Sequence, residues 1–244
     1  MQVEVILSPL LYDGRQLKEN HVVVAVDVLR ATTAICAAFK AGAEEVVPLN
    51  SLDPLPDFFR KGYSVAAERN AQKVVVEGIP ATCGNSPSEY LSQDLTGQRL
   101  AYSTTNGTVS ILKGKDCDKL YVGSFANLSA LAERLRDETR IVVLCSGWKG
   151  DPCIEDTLFA GALCGLLQRR LGADLVNDAA LYSVDLWNLA KDDLYAFCSK
   201  ATHVHRLQKM NYDNDVRLAF RLDTCPVVPV LVDKNNIPTL VLDE

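Results

Sequence analysis

Residues 22–35 read VVVAVDVLRATTAI, and this stretch decides the fold class. Its first five residues are all apolar and predict a strand over 22–26 that helices cover on both faces. Apolar residues at helical spacing then predict a helix over 32–39. Asp27 stands where the strand ends and Arg30 stands in the turn. The residues of this corner could have a structural role, as an N-cap threonine and an ion pair within the loop. Alternatively they have a functional role, in which the carboxylate binds a metal and the arginine binds an oxyanion.

The same alternation of strand and helix continues along the chain. Short apolar runs predict further strands over 3–7, 46–49, 74–76, 120–122, 141–144, 227–232 and 239–242. Helical patterns cover 128–136 and 155–170, and a stretch over 181–209 is expected to be broken once or twice. We therefore predict a layered α/β/α protein with a largely parallel or mixed sheet. Residues 1–244 are expected to form a single unit, with two subdomains meeting near 114–118 as the alternative.

The composition disfavours two classes of protein, those that bind nucleic acid and those that span a membrane. The chain carries 25 Lys and Arg against 31 Asp and Glu, a formal net charge of −6, and no stretch concentrates the basic residues. Nucleic-acid binding is therefore disfavoured. No apolar window is long enough to span a membrane, and residues 1–7 have the pattern of a first strand and not of a signal peptide. We expect a cytoplasmic protein, and a homodimer is compatible with its size.

The eight cysteines have wide, irregular spacings, and no C-x-x-C pair occurs. A zinc site usually contains a close pair, and disulfide frameworks belong to small secreted domains. Reduced and mostly buried thiols are therefore expected. A thiol phosphatase built on Cys145 would need an arginine a few residues later to hold the phosphate. The following residues supply only Lys149, so this chemistry is excluded.

A second polar corner precedes the apolar residues of a predicted helix, where residues 101–108 read AYSTTNGT. Helix capping needs one of these polar groups, whereas an anion-binding loop uses backbone N–H groups, hydroxyls and a glycine that lets the ligand approach. The loop is not a Walker motif, because the terminal G-K-[ST] is missing. It is interpreted as an anion-binding loop.

A third corner, residues 145–156, reads CSGWKGDPCIED. A buried strand ends in a glycine-containing loop, and the adjacent carboxylates Glu155 and Asp156 begin the next helix. Acidic residues there can simply complement the helix dipole. Beside other acids they would instead suit Mg²⁺, which prefers oxygen ligands. A fourth segment, residues 81–89, follows Glu68 and Arg69. Taken alone, it is weak evidence for a functional site.

Together these corners combine four acids, two arginines and many small donors. That set suits Mg²⁺-assisted phosphoryl chemistry better than acyl or hydride transfer. A dinucleotide-dependent oxidoreductase is disfavoured because no G-x-G-x-x-G follows any strand. A non-catalytic module that binds a phosphorylated metabolite would have similar donor loops, but four separated acids would serve no purpose there without a metal.

Five ordered motifs resemble the 2-phosphosulfolactate phosphatase family, and the likeness covers nearly the whole chain. They are residues 26–33, the pair at 68–69, and residues 84–87, 103–108 and 145–156. The resemblance implies a Mg²⁺-dependent enzyme that hydrolyses 2-phosphosulfolactate to sulfolactate and phosphate on a route to coenzyme M. A phosphatase of another small phosphorylated carboxylic acid is the alternative. The chain departs from the family at 70–72, where glycines are usual, and at 80–83, where Gly-Phe-Asp is usual.

If the chain catalyses this reaction, the polar residues of the motifs have the following predicted roles. The predicted catalytic residues are Asp27, Arg30 and Glu68. The predicted metal ligands are Asp27, Glu68, Glu155 and Asp156. The predicted substrate-binding residues are Arg30, Thr32, Thr33, Arg69, Asn85, Ser86, Thr104, Thr105, Asn106, Gly107, Thr108, Ser146 and Gly147.

Two questions stay open at this stage. The nucleophile is either Asp27, through an aspartyl-phosphate, or a metal-bound water. His203 and His205 are two residues apart on a predicted helix, so their side chains diverge and a shared metal is not expected. Surface or interface packing is the expected role for both, with a general acid as the alternative, and His21 is expected at the surface.

Overall fold

The computed structural model describes residues 1–12 and 21–243, and within them it has thirteen strands and ten helices. The strands are β1 (Gln2–Ile6), β2 (Val22–Val26), β3 (Glu45–Pro48), β4 (Ser64–Arg69), β5 (Gln72–Lys73), β6 (Val75–Val76), β7 (Ile79–Pro80), β8 (Arg99–Ser103), β9 (Lys119–Gly123), β10 (Arg140–Cys145), β11 (Asp174–Leu175), β12 (Pro229–Lys234) and β13 (Ile237–Leu242).

The helices follow the same order along the chain. They are α1 (Ala31–Lys40), α2 (Leu55–Arg60), α3 (Pro87–Leu91), α4 (Gly107–Lys113), α5 (Leu128–Arg134), α6 (Ile154–Leu171), α7 (Asp178–Ala190), α8 (Leu194–Cys198), α9 (Thr202–Lys209) and α10 (Asp213–Ala219). Two 3₁₀ turns cover Pro9–Leu11 and Phe125–Asn127. None of the described helices is long and apolar enough to cross a membrane.

Eleven of the described strands form one sheet, in the order β11-β1-β10-β2-β9-β12-β13-β3-β8-β4-β5. Two groups of strands pair in parallel, β11 to β9 at one end and β3, β8 and β4 at the other. The antiparallel hairpin of β12 and β13 joins them. The predicted layered α/β/α class, with its largely parallel sheet, is confirmed.

The central strand β2 separates two hydrophobic cores. Val22, Val24 and Val26 pack into one core with helices α5, α6 and α7, and Val23 and Ala25 pack into the other with α1. Successive strand residues point to opposite faces, so a strand between two helical layers needs apolar residues at every position. The uninterrupted apolar run of β2 therefore places Asp27 at its carboxyl end, beside α1.

Several local predictions need correction. Residues 74–76 do not form one strand, because the chain there divides into the two-residue strands β5 and β6. His21 is not at the surface: its side chain is buried and its ring nitrogen Nε2 lies 3.4 Å from the hydroxyl of Tyr12. The helical stretch over 181–209, by contrast, is broken twice into α7, α8 and α9, which agrees with the prediction.

Candidate active site

A cleft of about 160 Å³ opens at the carboxyl ends of β2 and β4. One group of lining residues, here called the floor, consists of Asp27, Arg30, Glu68, Asn85, Thr105 and Asn106. A second group, here called the mouth, consists of Trp148, Lys149, His203, Arg206 and Leu207. The cleft therefore brings together residues from all four polar segments and adds residues of helix α9.

Asp27 is buried at the floor, and the turn before α1 holds its backbone. The Thr32 hydroxyl donates to the Asp27 carbonyl oxygen over 2.8 Å, and the Ala31 amide donates to the Asp27 carboxylate over 3.2 Å. The Thr33 hydroxyl donates to the carbonyl of Val28 over 2.9 Å. Both predicted substrate-binding threonines are thus buried and use their hydroxyls to fix the turn that presents Asp27.

Two carboxylates of α6 lie behind Asp27. Asp156 accepts from the amides of Val28 over 2.8 Å and Gly147 over 3.1 Å, so it ties the β2 loop to the β10 loop. Burial, joined by the negative charge of Asp156, raises the pKa of Asp27 to about 7. Burial also raises the pKa of Asp156, and Glu155 adds to that effect. Burial and the neighbouring carboxylates thus both disfavour the ionised form of Asp27.

Glu155 is almost completely buried, and one of its oxygens contacts helix α9. Its Oε1 lies 3.0 Å from Nδ1 of His203, while its Oε2 is buried with no hydrogen-bond partner among the described residues. The His203 ring stacks on Trp148, with ring centroids 5.6 Å apart and planes only 7° from parallel. His203 thus lines the cleft and is not a surface residue, which corrects the expectation from the sequence.

Glu68 and Arg69 occupy the end of β4 and point in opposite directions, as neighbours on a strand do. Glu68 lines the cleft, where its carboxylate accepts from the Ala71 amide and from the Thr105 hydroxyl. Arg69 instead donates to the carbonyl and hydroxyl oxygens of Ser103. Of these two side chains only the Glu68 carboxylate faces the cleft. The Arg69 side chain instead holds β4 against β8.

Arg30 lines the cleft but is already paired with a buried carboxylate. Its guanidinium donates to Asp215 of α10 over 2.8 Å, and both side chains are about 2% exposed. Asp215 also accepts from the hydroxyls of Ser86, over 2.9 Å, and Ser88, over 2.5 Å. The Arg30 guanidinium lies 4.0 Å from the centre of the Tyr212 ring. The predicted substrate ligands Arg30 and Ser86 therefore meet on Asp215, whose part in the site the sequence did not reveal.

The donor loop after β8 divides into two parts. Thr104 and Thr108 are buried and bond to each other, whereas Thr105 and Asn106 line the cleft. Asn85 lies beside them and accepts a hydrogen bond from the Tyr102 hydroxyl over 2.5 Å. Ser146 and Gly147 lie close by: the Ser146 amide donates to Val26, and the Ser146 hydroxyl has no partner among the described residues.

Gly107 allows this loop to approach Asp27. A Cβ atom at this position would lie 2.3 Å from the Ala31 Cβ and 2.9 Å from the Asp27 carboxylate. We therefore expect Gly107→Ala to move the loop away from Asp27, to destabilise the protein by about 1–3 kcal/mol and to lower kcat/KM. Gly165→Ala, where the new methyl group meets only flexible side-chain ends, is the control. Equal kcat/KM in the two folded variants would contradict this role of Gly107.

The four predicted metal ligands do not converge on one point. Among residues 1–12 and 21–243, no three His, Cys, Asp or Glu side chains are arranged to hold a metal ion together. Asp27 and Glu68 line the cleft, whereas Asp156 is occupied by backbone amides and Glu155 by His203. A complete cage of protein ligands is therefore not part of this conformation.

The cysteines behave as the sequence predicted: all eight are free thiols, and six are fully buried. Cys145 is one of these, and burial raises its pKa well above the ordinary range. A neutral buried thiol is a poor nucleophile, in agreement with the exclusion of thiol phosphatase chemistry.

Fold and cleft together define an α/β enzyme whose polar site lies where parallel strands end. Comparison with known proteins identifies its family. The model of the 2-phosphosulpholactate phosphatase family matches residues 7–234. The chain therefore belongs to this family and is a phosphoric monoester hydrolase.

Individual relatives agree with the family model. A protein of Prochlorococcus marinus strain SARG is 35% identical over 226 residues, which cover 89% of this chain and 91% of the relative. One of Synechocystis is 34% identical over 236 residues, covering 94% and 95%. One of Caldanaerobacter subterraneus is 32% identical over 230 residues, covering 92% of each. All three are named probable 2-phosphosulfolactate phosphatases.

Proposed function

We propose that the protein hydrolyses 2-phosphosulfolactate to sulfolactate and phosphate, with Mg²⁺ held at the floor of the cleft. The observation that carries the proposal is the pair of buried carboxylates, Asp27 and Glu68, that line one cleft together with Thr105 and Asn106. A carboxylate in this setting is stabilised by a cation, and an anionic phosphate would be repelled without one. The names of the relatives supply the substrate.

The chemistry of the donors suits Mg²⁺. This ion is commonly held by one or two carboxylates together with substrate phosphate oxygens and water, and it does not require a cage built wholly of protein. Asp27 and Glu68 would hold it, since these two predicted ligands line the cleft. Glu155 and Asp156 would add negative charge from behind. When bound, Mg²⁺ would neutralise charge on the phosphoryl oxygens.

The chain's own groups would then position the ester. Thr105 and Asn106 would contact the phosphoryl oxygens, and Asn85 would add its amide from the other side. The Arg30 guanidinium, held by Asp215, would place a donor at a fixed position. The Asp27 carboxylate would either attack phosphorus itself or orient a water that does so. In either route the P–O bond to the sulfolactate oxygen would break and that oxygen would take up a proton. If Asp27 attacks, water would then hydrolyse the aspartyl-phosphate, which releases phosphate and restores the carboxylate.

A comparison of three esters tests the substrate. The purified protein is incubated in Mg²⁺ with 2-phosphosulfolactate, 2-phospholactate or phosphoglycerate, and inorganic phosphate is measured. We expect the highest kcat/KM for 2-phosphosulfolactate. A preference for either of the other esters would overturn the proposed substrate and favour another phosphorylated carboxylic acid. Absence of release from all three by the folded protein would favour a binding module.

A further inference from the structure

The mouth of the cleft carries two cations that no described carboxylate neutralises. Lys149 follows β10 and Arg206 lies on α9, so they approach the cleft from elements far apart in sequence. No Asp or Glu of residues 1–12 and 21–243 forms an ion pair with either of them, whereas Arg30 is paired with Asp215. These two residues are therefore free to bind an external anion.

Both cations lie against the same aromatic ring. The Lys149 Nζ atom is 4.9 Å, and the Arg206 Cζ atom 5.9 Å, from the centre of the Trp148 ring. Trp148 is itself held by its stacking on His203. A cation over an aromatic face is attracted by the ring electrons. The aromatic platform thus limits how far the two long side chains move before a ligand binds.

Charge is distributed unevenly between the two ends of the cleft. Asp27 and Glu68 make the floor acidic, and the charge of Arg30 there is already balanced by Asp215. Arg69, the other arginine predicted to hold an anion, is turned toward Ser103. A substrate with several anionic groups therefore needs cations elsewhere, and among the residues lining the cleft the mouth supplies them.

We propose that Lys149 and Arg206 bind the sulfonate of the substrate and thereby select 2-phosphosulfolactate. This inference rests on the proposed function. In 2-phosphosulfolactate the carboxylate is bonded to the phosphorylated carbon, and the sulfonate is bonded to the next carbon. When the phosphate lies at the floor, one of these two anionic groups can therefore reach the mouth. Three sulfonate oxygens accept charge-assisted hydrogen bonds from an ammonium and a guanidinium together. 2-Phospholactate carries a methyl group in place of the sulfonate-bearing carbon and lacks this contact.

Two variants and two esters test the assignment. Lys149→Met and Arg206→Met are assayed in Mg²⁺ with 2-phosphosulfolactate and with 2-phospholactate. Each variant should lose at least about tenfold in kcat/KM for the sulfonate ester, mainly through a higher KM, and less than about twofold for 2-phospholactate. Lys209→Met removes an exposed charge from the same helix as Arg206 and should change neither value.

Three results are decisive. Equal losses for both esters, or no loss for either, would overturn the sulfonate assignment while leaving the phosphatase intact. If the wild-type protein hydrolyses neither ester, the proposed function fails. Calorimetric binding of sulfolactate and lactate then decides the subsite separately, because tighter binding of sulfolactate that disappears in Lys149→Met supports it. Equal binding of the two acids contradicts it.

Discussion

Replacing Asp27 with Asn is expected to abolish phosphate release and, at the same time, to stabilise the metal-free protein. The amide keeps the size of the side chain and can accept the hydrogen bond from Ala31, but it cannot ionise. It would therefore remove the proposed nucleophile or water-orienting group and a proposed metal ligand together. We expect kcat/KM to fall by at least about 100- to 1,000-fold.

The stabilisation depends on pH in a defined direction. The pKa of Asp27 is about 7 in the folded protein and about 4 in an unfolded chain. Below pH 4 the carboxyl group is protonated in both states. As the pH rises from 4 to 7, the unfolded state loses this proton more readily, so the folded state loses stability. In EDTA above pH 7, Asp27→Asn should gain at least about 1 kcal/mol, a rise in Tm of about 2–4 °C.

Thermal unfolding of the two proteins in EDTA at pH 4 and pH 8 measures this difference. Asp151→Asn is the matched control, because Asp151 is an exposed carboxylate on the loop beside the cleft. It should unfold like the wild type at both pH values. A Tm for Asp27→Asn below that of the wild type at pH 8 would contradict the assignment of Asp27 as a destabilised, function-bearing carboxylate.

The second large effect is expected at the buried pair of Arg30 and Asp215. Asp215→Ala leaves the guanidinium buried without its carboxylate and also removes the acceptor for Ser86 and Ser88. Loss of one partner from a buried ion pair costs about 3–5 kcal/mol. We expect unfolding at a clearly lower urea concentration, with a lower kcat/KM in the protein that remains folded.

The same helix provides the control for this variant. Asp213 and Arg217 form an exposed pair one turn apart on α10, with the side chains 39% and 54% exposed. Asp213 also accepts hydrogen bonds from Tyr195 and Gln208, but at this exposed position Asp213→Ala should lower the urea midpoint much less than Asp215→Ala does. The double variant Arg30→Met with Asp215→Ala should recover stability but not activity. An Asp215→Ala protein as stable as Asp213→Ala would show that the buried pair does not hold α10 against the active-site turn.

A strand could be predicted from the sequence where its residue types match its surroundings in the fold. The strand over 22–26 has its predicted bounds because β2 is buried on both faces and is wholly apolar. The strands β4 and β8 were not predicted, since β8 reads RLAYS and contains no β-branched residue, and β4 has only Val65. Their place in the sheet is fixed by pairing with each other and with β3.

The floor of the site could be predicted better than the mouth. Asp27, Glu68 and Asn85 follow motifs read along the chain, and each of them lines the cleft. The contacts of Asp215 with Arg30 and of His203 with Glu155 join residues 185 and 48 positions apart. No periodic pattern in the sequence indicates contacts between residues so far apart along the chain. Had β4 been predicted, its alternation would have indicated that Glu68 and Arg69 face opposite ways.

The departure from the family after the Glu-Arg pair has a structural explanation. Asn70 and Ala71 have φ angles of 56° and 65°, in the left-handed region that glycine adopts with least strain. Glycine at either position would relieve this strain. In this chain the turn persists because the Ala71 amide donates to Glu68 and its carbonyl accepts from Arg30 over 3.3 Å. Thr82, where the family usually has Asp, is exposed and does not line the cleft.

Withdrawal and return of the metal in a single assay tests whether phosphate release needs a cation at Asp27. Phosphate release from 2-phosphosulfolactate is followed in Mg²⁺, then after addition of EDTA, and again after excess Mg²⁺. We predict release that stops in EDTA and recovers with Mg²⁺ in the wild type, and no release at any stage from Asp27→Asn. Undiminished release in EDTA, or an active Asp27→Asn protein, would contradict a cation-assisted phosphatase centred on Asp27.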